Sequence, residues 1–194
     1  MVNEEDIPKL KSIGVKDSKL LAPKQREKIC KEIEKIVDDS KIILVSPQEI
    51  DAAVLSNDGM NLNWLEAHKT AEILNALKPD IAYIDCPSPN IEKYKGYLKK
   101  LLAHKIRLIV EHKADLHHLP VSAASVLAKC TRDAEIAKIQ KMMPEEIGSG
   151  YAGDPLTKAF IAKYYRVYPE IMRKSWSTYQ NLIKKEEQKG LKDF

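Results

Sequence analysis

Glycine is scarce in this chain, at 7 of 194 residues, and phenylalanine and tryptophan are scarcer, at 2 each. So little glycine leaves no flexible glycine-rich linker, and no shift in composition marks a domain boundary. No apolar run approaches the about 20 residues of a membrane-spanning helix, so a protein of that kind is excluded. The opening Met1-Val2-Asn3-Glu4-Glu5-Asp6 has neither the cationic start nor the apolar stretch of a signal peptide, and a cytoplasmic location with no membrane contact is expected. Cys30, Cys86 and Cys130 stand far apart, with no Cys-x-x-Cys pair. That sets aside a disulfide framework and a zinc knuckle and leaves free thiols as the ordinary reading. Repeats and low-complexity tracts are absent.

What is present is a soluble globular balance, 44% hydrophobic and 31% charged, enough for one domain over residues 1–194 with 145–194 as its helical C-terminal extension. The net charge of +4 permits a polyanionic partner without demanding one. The chain reads as loop up to Ser18. A helix then starts at Ser18 or Pro23, with Ile29, Ile33, Ile36 and Val37 on one face. Residues 41–45, β-branched and closed by Ser46-Pro47, read as a strand. Residues 61–77 read as a helix that Pro79 stops. Apolar runs at 81–84 and 106–110 flank a helical stretch at 91–103. That is a βαβ unit, whose strands are expected to be parallel and buried on both faces. Helices are expected over 122–143, from Asp154-Pro155 to about Tyr168, and from Pro169 onward.

In open α/β sheets, ligands bind beyond the carboxyl ends of the strands. Asp85 ends the first strand of the βαβ unit and Asp115 follows the second, so both carboxylates are expected at one edge of the sheet. Paired carboxylates without clustered cysteine or histidine suit a hard divalent cation, Mg²⁺ or Mn²⁺; equally, Asp is a common turn residue after a strand. Pro87 and Pro89 stiffen the exit after Asp85. His112, His117 and His118 lack zinc-ligand spacing and read as loop residues. Gly148, Gly150 and Gly153 concentrate glycine in one place and present Tyr151, a ring suited to stacking on a sugar or base. Their pattern matches neither a P-loop nor a dinucleotide fingerprint.

Five segments occur in an order that resembles the ribonuclease HII family in its archaeal style. They are Gly14-Val15-Lys16-Asp17-Ser18-Lys19, Ile84-Asp85-Cys86-Pro87-Ser88-Pro89-Asn90, Glu111-His112-Lys113-Ala114-Asp115, the run from Val121 to Asp133, and Gly148-Ser149-Gly150-Tyr151. Arg173-Lys174-Ser175-Trp176 resembles the family's C-terminal region.

The resemblance implies an α/β, RNase H-like mixed sheet flanked by helices, with a helical C-terminal region. It implies hydrolysis of the RNA strand of RNA–DNA hybrids and incision at single ribonucleotides in duplex DNA, by a two-metal-ion mechanism on Mn²⁺ or Mg²⁺ held by a carboxylate tetrad. Asp85 and Asp115 match two of the four catalytic, metal-holding carboxylates. Lys19, Ser125 and Lys129 match substrate-backbone positions, and Tyr151 matches the tyrosine that packs on the sugar at the RNA–DNA junction. A complete chain of this family is expected to be a monomer acting on duplexes. The family's first hairpin, with Asp-Glu-Ala-Gly-Arg-Gly, does not occur in these 194 residues. The expectation is therefore an N-terminally incomplete domain whose two remaining tetrad carboxylates support little cleavage, or a chain that only grips hybrid duplex, helped by Lys93, Lys95, Lys99 and Lys100.

Overall fold

A computed structural model describes residues 1–15, 22–57 and 59–190. After a 3-10 turn at Glu4–Asp6 come α1 (Ile7–Ser12), α2 (Pro23–Ile36), α3 (Pro47–Leu55), α4 (Leu62–Leu77), β1 (Ile81–Asp85), α5 (Ile91–Leu101), β2 (Arg107–Glu111), α6 (Ala114–His117), α7 (Leu119–Gln140), α8 (Pro155–Tyr164) and α9 (Ser177–Gly190). They divide into two compact units. One comprises Met1–Ile43 and Asn63–Arg132, the other Leu44–Leu62 and Asp133–Phe194.

The first unit holds the βαβ motif. β1 and β2 are parallel and in register from Ile81↔Arg107 to Asp85↔Glu111. Side chains alternate across a strand, so Ala82, Ile84, Leu108 and Val110 share one face. That face packs with Ala67, Ala71 and Leu74 of α4 and Tyr94 and Leu98 of α5. The other face carries Ile81, Tyr83, Asp85, Arg107, Ile109 and Glu111, and the charged groups among them cannot be buried without partners. Burial on both faces, expected from the apolar runs, is therefore not what forms: Ala82, Leu108 and Val110 are buried, and Ile81, Asp85 and Arg107 are exposed. α5 begins where the Asn90 side chain accepts the Lys93 N–H (2.9 Å), the usual satisfaction of an orphan N-terminal donor.

A second core in this unit joins α1, α2 and α7 through Leu10, Ile33, Ala123, Val126 and Leu127. Leu10 is fully buried, and that burial explains why the opening residues, expected to be loop, fold as a 3-10 turn and α1. Lys19 lies outside the described residues, as does the alternative helix start at Ser18; α2 begins at Pro23.

Residues 41–45 form no strand. β-branched composition is only a preference, and a strand needs a ladder partner; among the described residues the sheet is β1 and β2 alone. The mixed sheet expected from the resemblance is, in these residues, a parallel pair.

The second unit packs α8 and α9 around Ile147, Phe160, Ile161, Tyr165 and Met172. α3 opens at Pro47, with the Ser46 hydroxyl accepting the Glu49 N–H (3.1 Å). α8 ends at Tyr164 rather than near Tyr168, and Pro169 opens a 3-10 turn rather than the last helix, which starts at Ser177. The late start of α9 comes from a tertiary contact. Asp51 of α3, 8% exposed, accepts the backbone N–H groups of Lys174 and Ser175, each at 2.8 Å, and so holds residues 173–175 out of helical pairing.

Candidate active site

Asp85 is the last residue of β1, and the strand's exit is pinned at several points. The Cys86 N–H donates to the Glu111 carbonyl (2.8 Å), the buried Cys86 thiol donates to the Ser88 carbonyl (3.3 Å), and the Asn90 N–H donates to the Ser88 hydroxyl (3.3 Å). Burial pushes the Cys86 thiol above its ordinary range. With Pro87 and Pro89 fixing their own φ angles, the backbone that carries Asp85 has little freedom.

Asp115 arrives by a different device. Two residues after β2, Lys113 adopts a left-handed conformation (φ 56°, ψ 36°), and α6 starts at once. That turn points the Ala114 N–H at Asp85, whose Oδ1 accepts it at 3.4 Å. Asp115, next in sequence, is 7% exposed while Asp85 is exposed. The two carboxylate-bearing residues, 30 apart in sequence, thus meet through one backbone hydrogen bond at the carboxyl edge of the parallel pair.

α7 extends from this point. The Ser122 hydroxyl, 2% exposed, donates to the Asp115 carbonyl (2.5 Å) and also lies 3.3 Å from the His118 carbonyl. At 100° per residue, Ser122, Ser125 and Lys129 fall within about 60° of one another on the helix. The stripe that ties Asp115 down therefore also carries Ser125 and Lys129, both half-buried. Tyr151 belongs to the second unit and is 52% exposed.

Three residues that matter to this geometry, His118 among them as a plain loop residue, were given no part in it by sequence. Glu111 is the register partner of Asp85 and shares its face of the sheet. His118 sits 3.0 Å from Glu111 through Nε2 and Oε2, and its ring packs on Tyr83 at 4.4 Å between centroids. Ser122 anchors Asp115. The equal lengths of the two strands were the one available signal, and only for Glu111. His112, read as a loop residue, places Nδ1 3.3 Å from the Cys86 carbonyl.

Asp85 and Asp115 are hard oxygen donors of the kind Mg²⁺ and Mn²⁺ prefer. Among the described residues, no group of three or more His, Cys, Asp or Glu side chains is placed to hold a metal ion. The donor set fits such an ion in kind, with two carboxylates contributed here.

The family model for ribonuclease HII matches residues 1–179. The chain belongs to the ribonuclease HII family. It is 41% identical to the ribonuclease HII of Pyrococcus furiosus over 187 residues, which is 94% of this chain and 81% of that one. The crystal structure of the ribonuclease H2 from Pyrococcus horikoshii superposes with a TM-score of 0.84 at 39% identity, over 95% of this chain and 87% of that one. The PCNA:RNase HII complex from Archaeoglobus fulgidus contains a chain that matches with a TM-score of 0.82 at 34% identity, over 94% of this chain and 85% of that one. The α/β architecture is therefore the RNase H-like fold, and the chain is of the type 2 ribonuclease H class. As in any ribonuclease HII, the chemistry to be explained is cleavage of an RNA strand; at the carboxyl edge of β1 and β2 this chain places Asp85, Glu111 and Asp115.

Proposed function

We propose that this chain hydrolyses the RNA strand of RNA–DNA hybrids, incising also at single ribonucleotides embedded in duplex DNA, at the edge where Asp85 and Asp115 meet. The observation that carries the reading is the hydrogen bond from the Ala114 N–H to Asp85, which brings two acidic residues from separate elements to one point of a family-typical fold.

In this reading Asp85 and Asp115 hold divalent metal, Mn²⁺ or Mg²⁺. A bound ion of that kind activates water at neutral pH and stabilises the leaving oxygen of a phosphodiester. The chain's own residues do the positioning. Asp85 faces solvent, where substrate enters, while Asp115 is fixed from behind by Ser122. Ser125 and Lys129 continue the same stripe and contact the sugar–phosphate backbone, which fixes register without reading sequence. Lys19 adds a phosphate contact. Tyr151 packs on a sugar at the RNA–DNA junction. The exposed lysines Lys93, Lys99 and Lys100 of α5 extend the electrostatic footprint. The 2′-hydroxyl is the group that separates RNA from DNA at such a site.

The experiment is a strand-specific assay. The purified chain is incubated with Mn²⁺ and a hybrid duplex labelled separately on each strand, and in parallel with a DNA duplex holding one ribonucleotide. The expected result is metal-dependent cleavage confined to the RNA strand and to the ribonucleotide. It should be slow, because among the described residues no third acidic side chain is placed with Asp85 and Asp115 to hold a metal ion. Binding of the hybrid without any RNA-strand cleavage overturns the hydrolytic reading.

A further inference from the structure

The loop between α7 and α8 is bonded on both sides of a single exposed ring. On one side, the Ser149 N–H donates to Asp154 Oδ2 (2.6 Å) and the Gly150 N–H donates to Thr157 Oγ1 (2.9 Å). On the other, the Asp154 N–H donates to the Tyr151 carbonyl (3.0 Å). Asp154 Oδ1 meanwhile caps α8 by accepting the Leu156 N–H (3.0 Å), and the Thr157 hydroxyl donates to the Ile147 carbonyl (2.9 Å). Two side chains of one helical turn thus hold residues 147–151 against the start of α8.

The packing is tight. Gly148 has φ +70°, and a β-carbon there would lie 2.7 Å from Asp154 Oδ2 and 2.9 Å from the Thr157 nitrogen, so no other residue allows this approach. Thr157 is 5% exposed; its hydroxyl both donates and accepts, and a valine would leave the Gly150 N–H and the Ile147 carbonyl without that partner. Every one of these bonds uses backbone at position 151, or no part of it. The ring carried at that position stands 52% exposed.

We propose that Asp154 and Thr157 are positioning residues for Tyr151, holding its backbone so that the ring meets the substrate's sugar already ordered. This rests on the reading of Tyr151 as a substrate contact. A ring carried on a fixed loop loses less conformational freedom on binding than one on a loose loop, and the difference appears as affinity.

The test is a double-mutant cycle read as the dissociation constant for a hybrid duplex, by fluorescence anisotropy, which needs no turnover. Tyr151→Ala is expected to weaken binding about tenfold, the scale of one lost aromatic stack. Thr157→Val is expected to weaken it about fivefold, and Thr157→Ser, which keeps the hydroxyl, to restore it. In the Tyr151→Ala background, Thr157→Val should cost nothing more. Asp154→Asn, which keeps a helix-capping side chain but gives up the carboxylate, is the second variant if Thr157→Val fails to fold, with the same expected pattern. Equal weakening by Thr157→Val with and without the ring overturns the positioning role, as does no weakening at all. Unchanged binding in Tyr151→Ala instead overturns the reading of Tyr151 itself, and the inference with it.

Discussion

The Ala114 N–H donates to Asp85 Oδ1 across 3.4 Å, so the residue immediately before Asp115 is bonded to the other carboxylate of the site. The bond exists because Lys113 takes a left-handed turn at φ 56°. Lysine there already carries the left-handed region's steric cost of about 1–2 kcal/mol, and a β-branched side chain adds to it. Lys113→Val should lower unfolding free energy further in a urea titration. It should also lower cleavage by more than the stability loss accounts for at saturating folded protein.

Ser122 is the second fixture of Asp115. Ser122→Ala removes a buried hydroxyl that donates to the Asp115 carbonyl and leaves that carbonyl short of a partner, at a cost of about 1–3 kcal/mol. Chemical denaturation gives the stability change. Cleavage should fall as well, because α6 loses its tie to α7.

Asp154 sets a low-pH limit on the Tyr151 loop. Hydrogen bonds from the Ser149 hydroxyl and N–H, and then from Leu156 and Thr157, hold its carboxyl down at about 2. A depressed carboxylate contributes stability that is present above its unfolded value, near 3.8, and is lost as pH falls through about 2. Wild type and Asp154→Asn should therefore differ in melting temperature at pH 5 and converge toward pH 2. A difference that does not depend on pH would show the carboxylate's charge to be idle.

Cys30 behaves in the opposite sense. Burial, and then the neighbouring Cys130 thiol, push it up to about 12. Cys130 also places its sulfur 3.5 Å from the Arg26 carbonyl, on the turn of α2 before Cys30. A thiol raised in the folded state contributes stability that is lost as pH rises from the unfolded value toward about 12. Alkylation of Cys30 by iodoacetamide, followed by mass spectrometry, should keep accelerating above about pH 10, where an ordinary cysteine has levelled off.

The βαβ core was legible because its apolar runs are short, the first bounded by Pro79 and Pro87, and separated by a helix of the right length. Residues 41–45 have the same local look and form no strand, since pairing is a property of neighbours and not of the segment. The exposed Ile42 and Leu44, at 48% and 61%, record that difference. At the site, Asp85 and Asp115 could be read from their places after two strands. The left-handed Lys113, the Ser122 anchor and the His118–Glu111 contact could not, because each depends on a residue several positions away meeting a backbone atom. The break before α9 was hidden for the same reason: its cause is Asp51, more than 120 residues earlier.

Mn²⁺ binding tests the central claim, that Asp85 and Asp115 form one divalent-metal site. Water-proton relaxation would be followed as Mn²⁺ is titrated into the wild-type chain and into Asp85→Asn and Asp115→Asn, each checked for a wild-type circular dichroism spectrum. The account predicts saturable binding by the wild type that falls about tenfold or more in either variant, a loss of at least ~1.4 kcal/mol. Mn²⁺ binding of undiminished affinity in both asparagine variants would contradict it.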